Sequence, residues 1–153
     1  AIYPNFSFEF NKVGNHKTVN SAIEHLPEPI TFDQFKKGKK ITFHPNHWCM
    51  TPKSAKFTTP GALIPGKALG RSFRVLRWDK PSPTVAYGHR EVHIHPNCHR
   101  RLSVHEASLL QGFPEDFEFR GTMSSQFTQV SEAVPPALAQ AVAKNIKKII
   151  ELS

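Results

Sequence analysis

The stretch RRLSVHEASLLQGFP, Arg100 to Pro114, is the part of the chain whose reading decides the fold. Ser103 followed three residues later by Glu106 is a capping box. The serine oxygen accepts from a first-turn N–H, and the glutamate reaches back to the cap N–H. The spacing predicts a helix through VHEASLLQ, stopped by Gly112, a residue free to take the left-handed conformation that ends helices. After it, GFPEDFEFRGT reads as a loop. Pro135 and Pro136 then open another helix, with Leu138, Ala141, Val142, Ile146, Ile149 and Ile150 in one apolar stripe.

Working back from Arg100, the pattern turns strand-like. RSFRVLRW, from Arg71, places Phe73 and Val75 on one face and Arg74, Leu76 and Trp78 on the other. A DKPSP turn, TVAY, a GHR turn and EVHIH follow, with Val92 and Ile94 facing one way, so three strands are expected. Residues 44–70 are rich in Pro, Gly, Lys and Thr and read as long loops, and Lys36–Lys40 (KKGKK) as a solvated loop. Further back, Val19, Ala22, Ile23 and Leu26 recur at helical spacing behind Thr18 and ahead of Pro27 and Pro29. Tyr3, Phe6, Phe8 and Phe10 suit one short strand. Nothing repeats except HPN, at His44–Asn46 and His95–Asn97.

The chain has 153 residues, room for one ordinary domain. Apolar residues make up 39%, with 12 Phe, enough for a modest core and against wholesale disorder. It begins at Ala1, which points to a processed product or a fragment. There is no long apolar run or basic-then-apolar leader, so no membrane span and no secretory signal are expected. Two cysteines make no disulfide scaffold, and a reducing compartment is the simpler reading. Lys and Arg number 20 against 12 Asp and Glu, a net +8. Residues 1–40 carry +2, residues 41–102 carry +8 and residues 103–153 carry −2. A surplus confined to one segment, with aromatics among the charges, is the footprint of a polyanion binder. The alternative is a solvated basic face.

Three chemistries can be weighed on residue types. His44, His47 and Cys49, with His93, His95, Cys98 and His99, have the ligand types of zinc. They lack any C-x-x-C pair and sit in a basic segment, where neutral hydrogen-bonding imidazoles serve equally well. A metal-dependent nuclease is the functional form of the first reading. Cys49 and Cys98 have His neighbours able to lower a thiol pKa, but neither lies in a nucleophile turn, and ordinary half-buried cysteines are the simpler account. No Gly-rich nucleotide cradle is present in the sequence.

The block from Arg100 to Pro114, followed by QFTQVSEAVPPALAQAVA (Gln126 to Ala143), resembles the DNA (cytosine-5) methyltransferase family. The two blocks look like that family's ninth and tenth conserved motifs in order and separation. Arg71–Val85 and HIHPNCHRRLS resemble the end of its target-recognition domain, where a Thr followed by an aliphatic residue is a hallmark, here Thr84–Val85. TVNSAIEHLP is similar to the segment entering that domain. Members transfer a methyl group from S-adenosylmethionine to carbon five of cytosine, using a Pro-Cys nucleophile, a Glu-Asn-Val glutamate and a Phe-x-Gly-x-Gly cofactor loop. None of these motifs occurs in this sequence, so no catalytic residue is assigned, and the chain alone is expected to bind DNA without methylating it.

The resemblance implies an α+β chain: residues 1–40 an entry segment, 41–102 a small, irregular, β-rich recognition domain, and 103–153 helices that pack on a Rossmann-like catalytic domain absent from this sequence. Residues flanking turns are the DNA-contact candidates: Arg74, Arg77, Lys80, Thr84, Val85, His89 and Arg90, with Lys53, Lys56 and Lys67 as further phosphate contacts. For Arg74 and Arg77 a surface ion pair is the competing role. Arg101, which matches the family arginine that organises the recognition domain, is a further DNA-contact candidate. His105 stands where an Arg often precedes the motif's Glu. Ser131, Glu132, Ala133 and Val134 match the cofactor-lining segment, with Ser131–Glu132 in place of the usual Gly-Asn. The implied cofactor is S-adenosylmethionine, with no metal. The implied partners are double-stranded DNA and a catalytic N-terminal domain or subunit, with no membrane; the exposed stripe of the last helix also allows a homodimer. A prokaryotic cytoplasmic, nucleoid-associated restriction-modification component fits. A non-catalytic basic DNA-binding protein is the remaining alternative.

Overall fold

The structure, a computed structural model, describes residues 16–84 and 91–151. The expected strands at Tyr3–Phe10 and in TVAY, and the candidates Val85, His89 and Arg90, lie outside those residues. The fold is α+β. Its elements run α1 (Val19–Ile23), β1 (Ile30–Thr31), α2 (Phe32–Lys36), β2 (Trp48–Cys49), a 3-10 turn (Ala55–Phe57), β3 (Arg74–Val75), β4 (His93–Ile94), α3 (Val104–Gln111), α4 (Met123–Glu132) and α5 (Pro136–Glu151).

The strands are short, and both pairs are parallel. β1 sets Ile30 opposite Trp48, and β3 sets Arg74 opposite His93 and Val75 opposite Ile94. The alternation in RSFRVLRW is present, but both faces are covered. Phe73 and Val75 enter a cluster with Leu63 and Ile94, while Leu76 and Trp78 enter another with Val19, Ile23 and Leu102. Val92 and Ile94 part company, Val92 packing on the main cluster around Trp48, Val104 and Phe127. Three small cores therefore replace one sheet face, and no strand needs to run on.

Helix α1 does more than its length suggests. Thr18 caps it, and two of its first-turn N–H groups, those of Val19 and Asn20, donate to the carbonyls of Lys80 and Trp78 at 2.9 and 3.0 Å. Donors that a helix start leaves unpaired thus hold the chain just beyond β3. Helix α2 was not expected from the sequence. Its Thr31–Gln34 capping box is complete, and Asp33 N–H donates to Thr51 Oγ1 at 3.0 Å. Five residues offer too little periodicity to betray a helix. Helix α4 was also missed. Met123, Gln126, Phe127 and Val130 form its buried stripe, legible at i, i+3, i+4 and i+7 once the polar Gln126 is counted, because Trp48 Nε1 donates to its Oε1 at 3.0 Å.

Helix α3 is the central element, packed between α1 and α4. The expected capping box and left-handed Gly112, at φ +87°, are both present. The helix is not amphipathic: Val104, His105, Glu106, Ala107 and Ser108 are all buried. Glu106, 1% exposed, accepts from Ser103 N–H and takes a bidentate pair of bonds from Arg100, at 2.8 and 2.9 Å. Arg100 also donates from Nε to Glu28 at 2.6 Å and from Nη1 to the Arg101 carbonyl. Removing one partner of such a pair strands the other charge in the core. Arg100→Met is expected to cost about 3–5 kcal/mol of unfolding free energy in urea titrations, and Glu106→Gln a comparable amount, because both carboxylate oxygens accept and the amide NH2 would face an N–H donor.

Candidate nucleic-acid interface

The two HPN triplets fold identically. In each, the His Nδ1 accepts from the Asn N–H (Asn46 to His44, 3.2 Å; Asn97 to His95, 3.3 Å), and the His carbonyl accepts from the next N–H, of His47 or Cys98, at 2.8 Å. His–Pro–Asn is thus a repeated turn, and its asparagines brace the core. Asn46 exchanges both amide bonds with the Phe119 backbone, and Asn97 accepts from Trp78 Nε1. His47 donates to the Pro27 carbonyl at 2.7 Å and takes the Ser103 hydroxyl at 3.1 Å. His44 stacks on His105, ring centroids 3.9 Å apart. Among the described residues no group of three or more His, Cys, Asp or Glu is placed to hold a metal ion. Cys49 is fully buried, and burial pushes its thiol up to about 12, the opposite of an activated nucleophile.

Positive charge gathers around a hairpin built from the end of the Pro/Gly-rich segment and the start of the strand-like one. Gly66 N–H donates to the Val75 carbonyl, Val75 N–H to Lys67 and Leu69 N–H to Phe73, at 3.1, 3.0 and 2.7 Å. Ala68 and Arg74 form an antiparallel bridge. Gly70, Arg71 and Ser72 make the turn, Gly70 at φ +68°. Every position from Ile64 to Ser72 is exposed. The base is anchored by Val75 in its cluster and by Arg74 and Leu76 N–H groups bonded to Val92 and Ile94.

The candidate cations divide into committed and uncommitted. Arg77 forms a bidentate pair with Asp79, at 2.9 and 2.7 Å, and its stem crosses Gly66, where a Cβ would stand 2.8 Å from Arg77 Cδ. The hydrogen bonds between them raise the Arg77 pKa and lower that of Asp79. Arg101 Nη1 donates to the carbonyls of Ser72 and Glu91, at 2.8 and 2.7 Å, while its guanidinium lies 4.8 Å over the Phe73 ring. It crosses the seam between the main cluster and the hairpin cluster, where a cavity of about 530 Å3 is lined by Phe32, Met50, Phe57, Phe73 and Phe127. Lys56 sits over the other Phe73 contact at 4.6 Å, and Lys53 is 4.0 Å from Asp33. Lys67, Arg71, Arg74 and Lys80 are exposed and make no side-chain ion pair or ring contact among the described residues. Thr84 is exposed. Two arginines that matter escaped the sequence reading: Arg100, whose signal was a capping glutamate needing a counter-charge, and Arg71, whose signal was a Gly-Arg-Ser turn between apolar runs.

Ser131–Val134 join α4 to α5. Ser131 bonds back to the Thr128 carbonyl, Ala133 is extended with its carbonyl held by Gln111, and Glu132 and Val134 are exposed. Ser131 and Glu132 are the last residues of α4, and the chain leaves the helix at Ala133. On α5, Leu138, Ile146 and Ile150 are 47%, 44% and 69% exposed. No helix among the described residues is long and apolar enough to cross a membrane.

This is a basic hairpin standing on a helical layer locked by a buried arginine–glutamate pair. The chain belongs to the C-5 cytosine-specific DNA methylase family, which matches residues 5–148. It is 33% identical over 170 aligned positions to the type II methyltransferase M.MthTI of Methanothermobacter thermautotrophicus, covering 96% of this chain and 48% of that protein. It is 35% identical over 140 positions to M.NmeDI of Neisseria meningitidis serogroup C, covering 88% of this chain and 32% of that one. With M.AquIB of Picosynechococcus it shares 42% over 93 positions, 54% of this chain and 67% of the relative. The chain therefore spans less than half the length of the first two.

The buried histidines make stability pH-dependent. Burial lowers His93, His95 and His105 to about 4, the Arg74, Arg100 and His44 charges respectively adding to it. Unfolded histidine titrates near 6.5, so between about 6.5 and about 4 the unfolded chain binds more protons. Their contribution is full above about 6.5 and is lost as pH falls toward about 4, which urea midpoints across that range will show. Glu91, fully buried, is raised well above 4.5 by burial, the opposite sign. Glu91→Gln is expected to gain stability over the parent at pH 8 and none at pH 4, read from the same titrations.

Proposed function

We propose that this chain is the target-recognition and C-terminal region of a type II DNA (cytosine-5) methyltransferase. It binds double-stranded DNA through its basic middle segment and needs a catalytic segment, not in this sequence, to methylate cytosine. The observation that carries the reading is the family match across nearly the whole chain, combined with the lack of the Pro-Cys, Glu-Asn-Val and Phe-x-Gly-x-Gly motifs from the sequence.

The roles follow from chemistry. Lys67, Arg74, Lys80 and Arg90 supply cations for phosphates, which set affinity and register, with His89 a further contact. Thr84 and Val85 carry the family's Thr-aliphatic hallmark, Thr84 with its side chain exposed. S-adenosylmethionine, when bound to the complete enzyme, supplies the methyl group. Ser131–Val134, where α4 ends and the chain turns extended at Ala133, would form one wall of its site. The exposed Leu138, Ile146 and Ile150 of α5 dock on the catalytic segment, because an apolar face of this kind is rarely left in water. Self-association through it is the competing outcome.

Two measurements test this. Duplex binding by the isolated chain should weaken steeply with salt, log K falling by about 0.9 per phosphate neutralised for each unit of log salt. Tritiated methyl transfer should be absent with the chain alone and appear when the catalytic segment encoded beside it is added. Salt-independent binding, or methyl transfer by the purified chain itself, would overturn the reading.

A further inference from the structure

The hairpin Gly66–Arg77 presents a ribbon with seven consecutive exposed positions, Gly66 to Ser72, and no acidic residue within it. A ribbon of this width fits the major groove of B-form DNA. The four arginines around it are not equivalent. Arg101 holds the turn from below through the Ser72 carbonyl and the Phe73 ring. Arg77 is pinned by Asp79 across Gly66, whose φ of +84° and close approach to the arginine stem leave no room for a side chain. Arg74 lies along β3, in register with His93. Only Arg71 sits in the turn itself, between glycine and serine, exposed and without an ion pair among the described residues.

We propose that this hairpin is the sequence-reading element, with Arg71 at its tip as a specificity-determining residue. Arg77 and Arg101 are positioning residues that fix the ribbon and do not contact DNA. This rests on the DNA-binding reading above and sharpens it. A planar guanidinium can bond guanine O6 and N7 together, whereas an ammonium cannot reproduce that fork. Holding the turn at both shoulders removes the freedom that would let one arginine sample several base pairs. The pair with Asp79 has a second consequence: it withdraws a cation from the phosphate field while keeping its stem in place.

The test is selection by the full 153-residue chain from a pool of duplexes with a randomised centre, followed by sequencing and salt titration. The wild type should prefer one guanine position by roughly ten- to a hundredfold. Arg71→Ala should abolish that preference and leave the others, and Arg71→Lys should restore the salt slope without restoring the preference. Lys67→Ala and Arg74→Ala should weaken all sequences alike and lower the slope by about one each. Asp79→Asn frees Arg77. A positioning role predicts that selectivity then broadens over several positions while binding to all sequences tightens, the released cation returning to the phosphate field; selectivity that stays as sharp as the wild type's overturns its assignment. A wild-type chain that binds without preference, or an Arg71→Ala variant that keeps the full preference, sinks the reading role while DNA binding stands. No binding by the wild type at all overturns both.

Discussion

The bidentate bond between Arg100 and Glu106 is the constraint on which the rest of this structure hangs. Both side chains are nearly inaccessible to water, at 4% and 1% exposure. An ion pair so placed loses much of its attraction to desolvation, so its value lies less in net stability than in position. Glu106 is at once the capping residue of α3 and the counter-charge of Arg100. Arg100 in turn binds Glu28, and Ser103 passes a hydrogen bond to His47, which bonds Pro27. One carboxylate thereby ties the start of α3 to the segment behind α1. The chain that leads out of β4 is held at the same place, because Arg101 directly follows Arg100.

That adjacency explains how the basic segment is organised. Arg100 turns into the core and Arg101 turns outward to the hairpin, gripping Ser72 and Glu91. The surplus of positive charge is therefore not one undifferentiated surface. Arg100, Arg101 and Arg77 are spent on protein contacts, and the exposed remainder stands on a short ribbon and its flanks. A hairpin with so few backbone bonds would be marginal alone. Here it is braced by α1 at one shoulder, through the carbonyls of Trp78 and Lys80, and by Arg101 at the other.

The burial of imidazole is the other organising feature. His44, His47, His95 and His105 lie in turns or against helix α3, each lowered by burial, and each serves as a neutral hydrogen-bonding or stacking group. Ligand-type spacing in the sequence is real, but in the fold the two HPN turns present Nδ1 to the backbone. What the fold does not do, among the described residues, is bring three or more such groups together where they could hold one ion.

The capping box at Ser103, the stop at Gly112, the helix behind Thr18 and the location of the excess charge are all decided by residues close in sequence, and the sequence by itself determined them. The family match followed from the same blocks. What only the tertiary structure decided depends on partners far apart along the chain. The parallel pairing of β3 with β4 and the splitting of the core into three clusters are of this kind. So is the division of arginines between core, brace and surface, since Arg100 and Arg101 are adjacent yet one turns to Glu106 in the core and the other to Ser72 and Glu91. An arginine's role is set by which carbonyls and carboxylates the fold brings within about 3 Å of it, and contacts such as Arg100 with Glu28 join residues that no local pattern relates.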